Sequence, residues 1–189
     1  MRRRTTVFVS LRKLRLLTLF AVIGAMAAVS VQVASSASVH FKRPLPTFSK
    51  DSSTFSLTAS GINLSGLGNG DIRIIIEGTG TASAQCQNPG GQSKVPGQNP
   101  VAVNVSGQVD VPATSFPNGN VTGLSVSTES VPTPTPAEAG CPGDSWTVVG
   151  MTVTYTSATL TVLQDANGQN CVFDEPGTEV LRRTFSISV

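Results

Sequence analysis

Three cysteines, one histidine and eleven carboxylates are the groups in this 189-residue chain from which chemistry is most readily built. Their spacing builds little. His40 is the sole imidazole, and a Ser-His or Cys-His mechanism needs that ring held by packing and by a further partner. It lies a few residues beyond a long apolar run, in a stretch with the character of a mobile arm, so no catalytic residue is assigned. Cys86, Cys141 and Cys171 are too far apart, and too short of histidine, for the ligand spacings of a zinc site.

Gly66-Leu67-Gly68-Asn69-Gly70 has the composition of a phosphate loop, but a phosphate cradle needs a helix behind it, and Ile72 onward reads as strand. Gly91-Gln92-Ser93-Lys94-Val95 approaches a nucleophile elbow with valine in place of the closing glycine. Asp165 to Asn170, with Asp174 and Glu175 beyond, offers oxygen ligands suited to calcium. Its glycine falls fourth and its glutamate eleventh, where an EF-hand needs the sixth and twelfth positions. A solvated loop is the expectation there, and no metal or other cofactor is assigned. The neighbours Asp174-Glu175 and the strand carboxylates Asp71 and Glu77 do not form the opposed pair that glycoside chemistry requires.

The elements that would position these groups begin with a leader. Arg2, Arg3, Arg4, Arg12, Lys13 and Arg15 precede an apolar run from Leu16 to Val33, and Ala34-Ser35-Ser36-Ala37 closes it. A basic head, an apolar middle and small residues at the end make a secretory signal peptide over residues 1–37, helical in its apolar part and cleaved after Ala37. If uncleaved, this leader is the chain's one membrane contact. Removing it leaves seven basic residues against all eleven acids, a net charge of −4. The remaining Lys and Arg are scattered, so the clustered cations that bind a phosphate backbone are missing and nucleic acid is not an expected partner.

Beyond the leader the chain is rich in Ser, Thr, Val and Gly, the residues of strands and turns. Residues 38–52 read as an extended lead-in, and 53–189 as the folded domain. Alternation marks strands near Phe55–Ala59, Ile72–Ala84, Val101–Val111, Thr122–Thr128, Trp146–Tyr155, Ala158–Leu163 and Val180–Val189. Asn69-Gly70 suits a tight hairpin, residues 86–100 read as one long loop, and a bend is expected near Thr156. Pro132, Pro134 and Pro136 predict a stiff polyproline crossing that runs on to Gly143. Val103, Val105, Leu124, Val126, Leu160, Val162, Phe185 and Ile187 are the expected core, with Trp146 in it or at its edge. About seven strands with no amphipathic helix after the leader predict an all-β fold: one antiparallel two-sheet β-sandwich, immunoglobulin-like or jelly-roll-like.

Export places the three cysteines in an oxidising compartment, where an odd count leaves one over. Strand parity selects the pair. Cys86 ends the second strand at one rim, the third strand leaves that rim, and the fourth returns to it just before the loop carrying Cys141. A Cys86–Cys141 disulfide is therefore expected, with Cys171 left aside. The function these features suggest is non-enzymatic: an exported bacterial binding or structural module, extracellular or in the cell envelope, whose partner is an extracellular protein or glycan. A secreted hydrolase with a carboxylate or metal site, or an inhibitor presenting the Pro-rich loop, is the alternative.

Overall fold

A computed structural model of the chain describes residues 39–165 and 177–189. The expected leader, Cys171 and the loop from residue 166 to Glu175 lie outside them. Among the described residues the regular elements are strands, joined by one 3-10 turn at Ala113–Ser115, and no helix is long and apolar enough to cross a membrane. The strands are β1 (His40–Phe41), β2 (Thr47–Lys50), β3 (Leu57–Ser65), β4 (Ile72–Gln87), β5 (Lys94–Pro96), β6 (Val101–Val111), β7 (Asn120–Ser127), β8 (Thr147–Gln164) and β9 (Thr178–Ser186).

They form two antiparallel sheets. In one, β3 is central, flanked by β7 on one side and by β1 and β2 end to end on the other. In the other, β4 and β8 are central; β5 and β6 line the free side of β4, and β9 lines β8. The alternation in β4 explains its place. Ile72, Ile74, Ile76, Ala82, Ala84 and Cys86 point inward and are buried, while Glu77, Thr79, Thr81 and Ser83 point to solvent. Facing them across the interior are Leu57, Ala59, Ile62 and Leu64 of β3, and Tyr155 fills the middle from β8. Burying a side chain of this kind contributes about 1.5–3 kcal/mol.

The sheets meet along two seams. At one, the amide of Glu129 donates to the carbonyl of Ser106 at 2.9 Å, joining the end of β7 to β6. At the other, Phe185 of β9 meets Phe41 edge-on at 5.8 Å and Phe48 at 5.1 Å, and the Arg183 guanidinium lies 5.1 Å from the Phe185 ring centre. Tyr155 donates its hydroxyl to the carbonyl of Phe55 at 2.8 Å, and burial pushes this phenol above its ordinary pKa.

Several sequence expectations are revised. The two strands expected at 146–155 and 158–163 are one, because β8 runs through Thr156 with a bulge and no break: Thr79 pairs with Ser157 and Gly80 with Tyr155. The Asn69-Gly70 turn makes no hairpin, since β3 and β4 belong to different sheets. The lead-in is partly structured, with β1 and β2 both paired to β3. A bulge at Gly123, whose amide donates to Asn63 Oδ1 at 2.9 Å, shifts the face of β7, so Val121 is buried and Thr122, which shares the alternation of Leu124 and Val126, is exposed. Val103, Val105, Val126, Leu160 and Val162 are buried, whereas Leu124, Phe185 and Ile187 pack half-buried against the core.

Candidate functional site

Two hydrogen-bonded loops and a covalent cross-link come together at the rim where β4 ends and β8 begins. Cys86 and Cys141 are joined there by a disulfide with Cα atoms 5.6 Å apart. β4 supplies Cys86, fully buried and paired with Val148 of β8 on one side and Val95 of β5 on the other. The stretch expected as one loop, 86–100, is thus a hairpin first. Its turn is organised by Asn88, whose Oδ1 accepts the amides of Gln92 at 3.0 Å and Ser93 at 3.1 Å.

Cys141 comes from a segment that the prolines lead into but do not fill. Residues 135–141 form one helical turn, not a polyproline crossing. Thr135 is its N-cap: its amide and hydroxyl both donate to Glu138 Oε2 at 2.8 Å, and the Glu138 amide returns to Thr135 Oγ1 at 3.3 Å. Pro136 occupies the first helical position, where its missing N–H is no loss. At the other end Gly140 adopts φ 66°, and the amides of Gly140 and Cys141 close back on the carbonyls of Ala137 and Pro136. The bonds from Thr135 also hold the Glu138 carboxyl below the usual carboxylate range.

This turn docks on residues 97–99. Gln98 donates its amide to Gly140 at 3.3 Å and Asn99 to Ala139 at 3.2 Å, while Gly97 donates to Ala84 on β4 at 2.9 Å. Ala139 is fully buried beneath. Trp146, outside the main core, packs half-buried beside Gly143 and donates its amide to that carbonyl. Lys94, Glu138 and Asp144 are the charged side chains of the rim. Polar surface on a cross-linked frame suits recognition by hydrogen bonding and shape.

The other groups singled out in the sequence are dispersed. His40 is held in β1 directly opposite Ser65, with Nε2 and Oγ 2.9 Å apart on an exposed face. The arm expected to be mobile is therefore a paired strand, and the contact is one that a sheet gives to any directly opposed polar pair. Asp71 is buried at the opposite end of β4, where Oδ1 accepts the Ala113 amide at 2.7 Å and Oδ2 has no hydrogen-bond partner among the described residues. Glu77 faces Arg182 at 3.5 Å on an outer sheet surface. The Gly66–Gly70 stretch leads into β4 and the Gly91–Val95 stretch into β5, both strands. Among the described residues no three metal-ligating side chains converge. Comparison of the chain with protein-family models, with curated proteins and with solved structures finds no match in any of the three.

The residues that build the rim, apart from the two cysteines, escape a reading that looks for chemistry. Their signal is local: Thr135, Pro136, Glu138 and Gly140 stand at the spacing of a capped single turn.

Proposed function

We propose that the chain is exported from a bacterial cell, loses residues 1–37, and serves as a non-enzymatic extracellular or envelope module that binds a protein or glycan through the disulfide-tied rim. One observation carries this reading. Two loops with only Ala139 as a buried anchor are held in one arrangement by a covalent bond, which persists in oxidising compartments. A rigid frame beneath polar loops is the usual setting for recognition.

We also assign the finer fold as immunoglobulin-like. The neighbours β3–β7 in one sheet and β4–β8–β9 in the other correspond to the B–E and C–F–G neighbours of that fold. The strands between C and E, β5 and β6, here both join the second sheet.

The test is retention of the purified chain from residue 38 on cell walls and envelope extracts of the native host. The Cys86→Ala/Cys141→Ala variant and the surface variant Lys94→Glu are compared with it. Retention that falls on both changes supports the rim, and equal retention by all three proteins removes it. N-terminal sequencing of the native protein tests export directly: an intact Met1 on most molecules overturns that part.

A further inference from the structure

Among the described residues, one edge of β8 is unpaired over Thr147–Thr152. β9 covers this strand from Gln164 back to Ser157, and residues 187–189 extend the cover through Ile187 to Thr156 and Val189 to Tyr155. Beyond that the Lys50 ammonium donates to the carbonyl of Val153. Between Thr147 and Thr152 no strand pairs with this side of β8 among the described residues. The Tyr155 amide and Val153 carbonyl both point away from β4. The alternation of an antiparallel ladder then turns the amide and carbonyl of Met151 to the same open side.

This edge lacks the usual protection against pairing. Natural edges carry lysine, proline or an inward charge, yet from Ser145 to Gln164 the chain has no charged residue and no proline. Val149, 42% exposed, is the exposed large hydrophobic side chain among the described residues. It stands out because Cys86 pairs with Val148 and Gln85 with Gly150, leaving Val149 as a bulge.

We propose that the Thr147–Thr152 edge is a homodimer interface, in which two copies pair antiparallel about a two-fold axis and their five-stranded sheets become one. The segment Thr-Val-Val-Gly-Met-Thr is its own complement. In the two-fold register Thr147 faces Thr152, and Val148 faces Met151. Thr147 and Thr152 are exposed, while Val148 and Met151 are half-buried and stand opposite the buried Cys86 and Ala84 of β4. Like side therefore meets like on each face of the joined sheet; a one-residue slip would set threonine against the apolar positions.

The ends agree as well. Lys50 closes the open segment at Val153, and the exposed Asp144 lies just before its other end. The two-fold axis brings Lys50 of one copy beside Asp144 of the second. An extended peptide from another protein would use the same open backbone, but it would have no reason to match this pattern and these end charges. Six residue pairs make a small interface, so the dimer is transient and concentration-dependent.

This inference does not rest on the rim reading, because the test uses the purified, disulfide-intact chain with no ligand. Sedimentation velocity is measured from about 1 µM to about 300 µM, a span suited to weak association. The wild-type chain is expected to shift toward dimer with concentration, and Val149→Lys to remain monomeric throughout. Lys50→Glu and Asp144→Lys should each weaken the dimer about tenfold, and the double reversal should restore it. Near-ultraviolet circular dichroism of Trp146 and Tyr155 reports the fold of each variant, and Thr152→Lys replaces Val149→Lys if the latter is unfolded. A wild-type chain that stays monomeric across the range, a folded edge-lysine variant that dimerises as before, or a double reversal that fails to restore association overturns the proposal.

Discussion

Breaking the Cys86–Cys141 bond should loosen the rim far more than the sheets. The two cysteines are 55 residues apart. For a closed loop of that length, the chain-entropy relation gives about 14 cal/mol/K, or about 4 kcal/mol at 25 °C. Against it stand the contacts that would hold the 135–141 turn without the bond: two amide-to-carbonyl bonds at 3.3 and 3.2 Å to residues 98 and 99, and the buried methyl of Ala139. Bonds of this kind contribute about 0.5–1.5 kcal/mol each, together less than the entropy of freeing the segment, about 1–2 kcal/mol per residue. The experiment is urea unfolding of oxidised and reduced protein in a Cys171→Ser background, so that no third thiol exchanges, monitored by Trp146 fluorescence. Reduction should lower stability by about 3–4 kcal/mol and, by expanding the unfolded chain, raise the slope against urea. Hydrogen exchange separates the two regions. The amides of Gln98, Asn99, Gly140 and Cys141 should lose nearly all protection through local opening, while Ile76 and Leu160 in the β4–β8 ladder lose only what the drop in global stability takes. A loss below about 1 kcal/mol, or protection that survives at Gln98 and Asn99, would refute the view that the cross-link orders the rim.

The fold carries three further expected outcomes. A Cβ at Gly107 would fall on the carbonyl oxygen of Ser127, so Gly107→Ala must part β6 from β7; a loss of about 2–4 kcal/mol in urea unfolding is expected, and a loss under about 0.5 kcal/mol would mean the seam is loose. Thr128 Oγ1 accepts the buried amide of Leu57 at 3.0 Å, so the isosteric Thr128→Val should cost about 1–3 kcal/mol by orphaning that donor, as chemical denaturation would show. Asp110 is held below its ordinary value chiefly by hydrogen bonds from Arg73, at 2.6 and 2.8 Å. Its depressed folded pKa means that the contribution is full at neutral pH and is lost as pH falls through the folded value. Asp110→Asn should therefore be less stable by under about 1 kcal/mol at pH 7, the pair being partly solvated, and equal to wild type in strong acid.

The strand class was legible because burial on one face imposes period two, as in Val101–Val111 and Ile72–Ala84. Continuity was not. At Thr156 and at Gly123 a bulge adds a residue, shifts the inward face by one and keeps the strand going, so local alternation suggests a break or names the wrong face. β1 and β2 were illegible for another reason: two and four residues long, they are strands only because β3 pairs with them, and that partner is distant in sequence. The pairing of Cys86 with Cys141 needed only the directions of β4, β6 and β7. All three lie before Thr156, so the error in β8 did not reach it. The capped turn at 135–140 was locally encoded, but the alternating prolines dominate that stretch and point to an extended chain.

The dispersal of the reactive groups and the concentration of structure at one rim have the same cause. A sandwich of this kind assigns every second residue of each strand to the core and the others to solvent, so polar strand residues such as Glu77, Asn104 and Thr159 face outward on a surface that curves away from itself. Side chains on such a face meet in pairs, as Arg73–Asp110 and His40–Ser65 do, and rarely converge as a group. Convergence requires a place where chain segments turn toward one another, which in this architecture is a rim. At the Cys86 rim the hairpin, the 97–99 segment and the capped turn approach one another, but they have too little apolar interior to hold that approach. The disulfide does what core burial does elsewhere. It fixes polar backbone and side chains in one geometry without covering them, and it does so independently of the sheets, leaving the outer surface of the rim open to change in sequence while the β4–β8 frame keeps its shape.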